Sequence, residues 1–192
     1  MYPDIYILDT ETTGLGGYEQ GDVIVEIGIA RVDLQRKKVY PEFGRLVRQP
    51  LTPSQRESWV FQNTDLTPEE VMSSPWSPAQ IRLALSPYIN KTFTAYNVDF
   101  DFGRYLLHPP WHFCPHLAPC IMETAADTYN EGRWFKAQEA YDLLCPDNPA
   151  NVPDGREQHR ALSDAVVEGW ILLRMLEDKP ELSIPYVEAC CR

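Results

Sequence analysis

The chain has 192 residues, of which 44% are hydrophobic and 11% aromatic, and its 17 basic and 28 acidic residues give a formal net charge of −11. That length fits one domain, or one domain with a modest appendage, and the apolar fraction is enough for a core, so disorder is not the default. The acidic balance speaks against broad, sequence-independent coating of nucleic acid, which depends on neutralising phosphates. It leaves open a small site where bound divalent cations reverse the local sign.

No stretch approaches the roughly 18 uninterrupted apolar residues of a membrane span. The N-terminus shows no basic region and small-residue cleavage site; its first apolar run leads directly into Asp9 and Glu11. A soluble, cytoplasmic protein with no membrane association is therefore expected. The five cysteines, Cys114, Cys120, Cys145, Cys190 and Cys191, are odd in number and two are adjacent, so reduced thiols are the simpler reading.

In chain order, Ile5-Tyr6-Ile7-Leu8 reads as a buried strand ending in a turn. Val23 to Ala30 reads as a second strand after a glycine-rich connection, and Val39 to Val47 as a third, interrupted by Pro41 and Gly44. Short links between them predict an antiparallel meander. The proline-rich stretch 50–87 is mostly helical in tone. Thr67-Pro68-Glu69-Glu70 has the cap, first-position proline and first-turn acids of a helix start. Phe93 to Tyr96 reads as a short strand followed by a helix over Val98 to Leu107, and Pro109 to Pro119 as irregular. A helix is expected within Lys136 to Leu144, a loop over Cys145 to Gln158, and a long helix from about His159 to Glu177. The order predicts an α/β domain with a mixed sheet, three antiparallel strands and then parallel ones, flanked by helices. One domain over 1–180 and a C-terminal tail over 181–192 are expected.

Three segments carry the chemistry. Asp9 and Glu11 lie two apart at a strand end, so both side chains project to one face. Close carboxylates repel and favour a proton unless a cation intervenes, and hard oxygen ligands suit Mg²⁺ or Mn²⁺. The Thr12-Thr13-Gly14 turn brings backbone N–H groups near a ligand, with Gly14 open to unusual torsions. An ordinary polar strand end is the plainer alternative. Asn97-x-x-Phe100-Asp101 stands where a strand joins a helix; there Asp101, or Asp99 equally, could simply favour the helix dipole. His159-x-Ala161-x-x-Asp164 opens the last helix. A five-residue separation is about 140° of rotation, so His159 and Asp164 fit together better if His159 stands on the loop. A loop histidine could accept a proton from water; a plain surface histidine is the alternative.

Together, Asp9-Thr10-Glu11-Thr12-Thr13-Gly14, Asn97-x-x-Phe100-Asp101 and His159-x-Ala161-x-x-Asp164 resemble the DEDDh exonuclease family. That family includes proofreading exonucleases of DNA polymerases, ribonuclease T and oligoribonuclease. Order and spacing agree across residues 4–176. The Val-Ile-Val-Glu-Ile-Gly strand and Leu46 to Pro50 leading to Leu66-Thr67-Pro68-Glu69 agree as well. The resemblance implies a ribonuclease H-like fold and two-metal-ion hydrolysis of DNA or RNA from the 3′ end, releasing nucleoside monophosphates. It implies that Asp9, Glu11 and Asp164 hold one Mg²⁺ or Mn²⁺, and Asp9 with Asp101 a second. His159 would be general base, and Thr12, Thr13, Gly14, Leu15 and Asn97 would bind the terminal nucleotide. The partner implied is a nucleic acid with a free 3′ end, single-stranded or short given the net charge; association with a DNA polymerase is a further expectation. One departure is Phe61-Gln62-Asn63-Thr64, where the family often has His-Gly-Ile-Thr, and contacts to the terminal base there are in doubt.

Other features have two readings each. His108, His112, Cys114, His116 and Cys120 could hold zinc, but the prolines among them give no recognised spacing, and an incidental loop is the simpler reading. Five tryptophans, Trp59, Trp76, Trp111, Trp134 and Trp170, could stack bases if exposed; core or interface roles are the alternative. Arg31, Arg36, Lys37 and Lys38 form the one dense basic cluster, read as solvated charge on a hairpin end rather than a phosphate track. Against the exonuclease stand a polymerase-associated or nucleic-acid-binding subunit of little activity and a phosphodiesterase of small nucleotides.

Overall fold

A computed structural model describes residues 4–191. Its sheet has five strands in the order β3-β2-β1-β4-β5. These are β1 Ile5–Thr12, β2 Ile24–Asp33, β3 Lys38–Leu46, β4 Thr92–Thr94 and β5 His116–Leu117. The first three pair antiparallel, as the meander pattern predicts, while β1–β4 and β4–β5 pair parallel. The mixed α/β sheet flanked by helices is thus the fold class expected from the sequence.

The apolar run of β1 is continuous because the strand is central and covered on both faces. Ile5 and Ile7 belong to one core cluster, with Ala165, Leu172 and Met175; Tyr6 and Leu8 belong to another, with Phe93, Phe102 and Tyr105. By the two-residue period, Asp9 and Glu11 continue the Ile5–Ile7 face. In β3, Pro41 and Gly44 are accommodated because the strand is an edge and its register shifts opposite Ile29/Ala30.

Four short helices follow: α1 Pro53–Arg56, α2 Trp59–Asn63, α3 Pro68–Ser73 and α4 Pro78–Leu85. Three of them start on reciprocal caps, Thr52 with Gln55, Thr67 with Glu70 and Ser77 with Gln80, each followed by proline. The segment expected as an α-helix over Val98 to Leu107 is a π-helix over Asp99–Leu106. Beyond it come α5 Ile121–Tyr129, which no sequence signal marked, and α6 Ala137–Leu144. The long helix α7 spans Ala161–Asp178, so His159 lies outside it. Residues 181–192, expected as a tail, contain α8 Ser183–Ala189, whose buried Tyr186 donates a hydrogen bond to Thr124 Oγ1 at 3.2 Å. That aromatic anchor docks the segment on α5.

The close approach of α7 to the sheet is set by small residues on both sides of the contact, Gly28 of β2 and Gly169 of α7. A Cβ on Gly28 would stand 2.1 Å from the Ala161 carbonyl carbon, and one on Gly169 would stand 2.8 Å from Val39 Cγ1. Three of the four residues of the basic cluster on the β2–β3 hairpin are engaged in ion pairs: Arg31 with Asp4 and Glu42, Arg36 with Asp33, and Lys37 with Glu177. All five cysteines are free. Among the described residues no helix is long and apolar enough to cross a membrane.

Candidate active site

The end of β1, the start of the π-helix and the start of α7 bring Asp9, Glu11, Asp101 and Asp164 to one place. The two aspartates of the middle segment differ in environment. Asp101 is buried, and its Oδ1 accepts from both the N–H (3.0 Å) and the hydroxyl (2.7 Å) of Thr10. Asp99 points to solvent and pairs with Arg104 at 3.2 Å. Asp164 is buried in the first turn of α7, where its Oδ1 accepts from Gln158 N–H at 3.1 Å. One ligating atom from each of Glu11, His159 and Asp164 lies within 4.8 Å of the others.

The segment ahead of α7 is anchored by an ion-pair network. Arg160 Nη2 and Nε reach the two oxygens of buried Glu26 at 2.9 and 3.1 Å, its Nη1 reaches Asp65 at 3.3 Å, and Ala161 N–H donates to Glu26 Oε2. Glu26 pairs in register with Glu11 across β1–β2, so the same strand contact carries a metal-type ligand and the anchor of the helix. His159 is held one residue before this anchor with a φ of 49°.

The charges acting on Asp9 and Glu11 are carboxylates. Burial, then Glu168 and Asp101, push Asp9 well above the usual carboxylate range; burial, then Asp164 and Glu26, do the same to Glu11. Burial pushes Asp101 up to about 7 against the opposing Thr10 hydrogen bonds, and burial with Glu157 pushes Asp164 up to about 7. Asp9 Oδ2 is sealed from solvent and accepts no hydrogen bond among the described residues. A buried carboxylate oxygen without a donor is costly. A divalent cation is the partner that this all-oxygen donor set fits, since it replaces protons with positive charge at several carboxylates together.

Beside the acids opens a cleft of about 470 Å³ lined by residues 10–15 with Trp59, Val60 and Phe100. Leu15 stands 76% exposed at its edge. The loop bearing it is fixed from the π-helix: Tyr105 Oη donates to Gly14 O at 2.6 Å and Arg104 Nη1 to Leu15 O at 2.8 Å. Gly14 needs its lack of a side chain for space rather than torsion. A Cβ there would stand 2.4 Å from the Asp22 carboxylate, while the positive φ values in this loop belong to Gly17 and Gly21. The Thr12 hydroxyl donates to Gly14 O, the Thr13 hydroxyl accepts from Val23 N–H, and Asn97 Oδ1 accepts from Phe100 N–H. Thr12 and Thr13 therefore line the cleft, while Asn97 holds the backbone of Phe100, which lines it too.

Two acids escaped the sequence reading. Glu168, one turn beyond Asp164, is buried and accepts from Tyr96 N–H at 3.2 Å; burial and Asp101 push it well above the usual range. Glu157 on the loop is also raised, by burial. The visible signal for Glu168 was a carboxylate on the apolar face of α7, between Val167 and Gly169. Among the described residues the group of three or more potential metal ligands that converges is Glu11, His159 and Asp164, and it includes none of His108, His112, Cys114, His116 and Cys120. His108 stacks on Tyr18 and contacts Gly103 O, and the Cys120 thiol donates to Tyr96 O, so each has its own local partner.

No protein-family model matches the chain, and no curated protein does. Solved structures match over nearly the whole length. Exonuclease X in complex with 5′-overhanging duplex DNA aligns at TM-score 0.68 and 23% identity, covering 97% of this chain and 99% of that one. The chain has the ribonuclease H-like fold. Within that fold, S. pombe Pop2p with bound Mg²⁺ and Mn²⁺ aligns at TM-score 0.68 and 16% identity, covering 95% and 86%. The nuclease domain of 3′hExo, a DEDDh family member bound to rAMP, aligns at 0.63 and 16%, covering 93% and 94%. The ribonuclease H-like sheet is what carries Asp9 and Glu11 on its central strand here.

Proposed function

We propose that the chain is a 3′–5′ exonuclease that requires Mg²⁺ or Mn²⁺ and hydrolyses phosphodiester bonds of DNA or RNA to nucleoside monophosphates. The observation that carries this reading is the buried, partnerless Asp9 Oδ2 at the meeting of Glu11, Asp101 and Asp164. Solved structures of the same fold include an exonuclease in complex with DNA and the Mg²⁺- and Mn²⁺-bound form of S. pombe Pop2p, which supports it.

Asp9, Glu11 and Asp164 would hold one cation, and Asp9 with Asp101 a second. Bound there, such ions supply Lewis-acid stabilisation of the charge that develops on the phosphoryl oxygens. His159 accepts the proton of the attacking water. Burial holds its imidazole below the usual histidine range, so the neutral, proton-accepting form prevails at neutral pH. Leu15, Trp59 and Phe100 give the cleft an apolar wall for a terminal base, and the clamped 13–15 loop fixes where its sugar sits. The cleft opens beside the acids rather than along a basic track, which favours a single-stranded or short end.

The test is product analysis. Single-stranded DNA and RNA incubated with Mn²⁺ should release nucleoside monophosphates. Hydrolysis of a small nucleotide ester with no shortening of either polymer would refute the reading in favour of a phosphodiesterase.

A further inference from the structure

Packing, rather than hydrogen bonding, orients the imidazole of His159. Its backbone lies in the left-handed region that residues with side chains rarely adopt. On its C-terminal side the chain is fixed by Arg160. Among the described residues the one histidine ring engaged in a hydrogen bond is that of His108, so both His159 nitrogens are without a protein partner. Yet one atom of the ring stands within 4.8 Å of ligating oxygens of Glu11 and Asp164.

A general base ordinarily has its second nitrogen held by a carboxylate or a carbonyl, which sets the ring's direction. Here the oriented neighbour is aromatic. Trp59, the first residue of α2, meets His159 edge to face, with centroids 5.1 Å apart and planes at 89°. This geometry is the favoured one for aromatic pairs, and it constrains the ring plane while leaving both nitrogens free. The same indole is 57% exposed and lines the cleft with Glu11, Leu15 and Phe100. A large exposed apolar side chain at the mouth of a cleft is also what a nucleobase stacks on.

We propose that Trp59 is the positioning residue for His159: its indole holds the imidazole beside Glu11 and Asp164. The proposal rests on the exonuclease reading above. It assigns to Trp59 a role in turnover that is separate from any stacking contribution to affinity.

The two contributions part in a double-mutant cycle on the full chain, with Mn²⁺ and a single-stranded oligonucleotide as substrate. Trp59→Leu should lower kcat between about tenfold and a hundredfold, the loss expected when a reacting group is misplaced by about 1 Å. Trp59→Phe, which keeps an aromatic edge-to-face partner, should recover to within about threefold of wild type. In a His159→Ala background the fall in kcat caused by Trp59→Leu should shrink to less than about threefold, whatever the substitution does to KM. An equal fall in kcat in both backgrounds, a change confined to KM, or no change would each overturn the proposal. If the wild-type chain digests no oligonucleotide, the exonuclease reading fails separately. The ring-current shift of the His159 protons then decides the contact alone: present in wild type and lost in Trp59→Leu if Trp59 holds the ring, absent in wild type if it does not.

Discussion

Gly28 lies directly under Ala161: a Cβ at position 28 would stand 2.1 Å from both the carbonyl carbon and the carbonyl oxygen of residue 161. The first turn of α7 therefore rests on the backbone of β2, and Asp164, three residues on, is lowered to the level of Asp9 and Glu11. Gly28→Ala should force the two backbones apart. We expect a loss of about 1–3 kcal/mol or more in urea unfolding, as overpacking of a tight contact gives, together with loss of nuclease activity. A variant that is destabilised yet fully active would show that Asp164 need not sit at this depth.

The acid cluster makes stability depend on pH in an unusual direction. Asp101 and Asp164 are pushed up to about 7, and Asp9, Glu11 and Glu168 are raised well above the usual range. A carboxyl whose folded value exceeds its unfolded value of about 4 binds its proton more tightly in the folded chain. The stability it contributes is full below that unfolded value and is lost as pH rises to and through the folded one. With chelator present, Tm should therefore fall from roughly pH 5 to pH 8. Mn²⁺ should restore it increasingly over the same window, because the ion needs deprotonated ligands. A Tm with chelator that is flat or rising across this range would contradict the electrostatic account.

Asp9→Asn separates repulsion from ligation. It removes one charge from a buried group of like charges, so with chelator at pH 8 it should raise Tm by several degrees, about 2–4 °C for each kcal/mol relieved. It should also abolish stabilisation by Mn²⁺ and lower activity by more than roughly a hundredfold, beyond what loss of an outer contact to a metal ligand costs. Calorimetric titration with Mn²⁺ checks the binding half; undiminished heat would remove Asp9 from the ligand set.

The two aspartates of the middle segment should behave oppositely. Asp101→Asn should abolish digestion, since this buried carboxylate is held in place by two donors from Thr10. Asp99→Asn breaks an exposed pair with Arg104 and should change stability by no more than about 1 kcal/mol. Oligonucleotide digestion by the two variants side by side decides it, and equal activities would contradict the assignment.

His159→Ala should lower kcat by about 10²–10⁴-fold, the range for a general base. Because burial lowers the imidazole's affinity for protons, the acid limb of wild-type kcat at saturating Mn²⁺ should lie below about pH 6.5 and vanish in the variant. An unaltered limb would assign it to another group.

Much of this arrangement was legible in the sequence because it rests on local rules. The buried run Ile5 to Leu8 ending in Asp9-x-Glu11 follows from strand period, and the cap of α3 follows from Thr67-Pro68-Glu69-Glu70. What escaped depends on contacts distant along the chain. The hydrogen bonds that set buried Asp101 apart from Asp99 come from Thr10, 91 residues away, and the anchoring of Arg160 comes from Glu26, 134 residues away. Nothing near Tyr186 announced that it would dock on α5. Glu168 was visible as a charge on an apolar helix face, but its meaning required knowing that Asp9 and Asp101 lie opposite.

The most direct test of the central claim is digestion of one single-stranded oligonucleotide, labelled at either its 3′ or its 5′ end, by wild type and Asp9→Ala, with Mn²⁺ or chelator. The 5′-labelled strand should shorten as a ladder from its 3′ end while the 3′ label is released as mononucleotide, and both should stop with chelator or with Asp9→Ala. Shortening from the 5′ end, or cleavage that survives chelator and Asp9→Ala, would contradict a divalent-metal 3′–5′ exonuclease built on these four carboxylates.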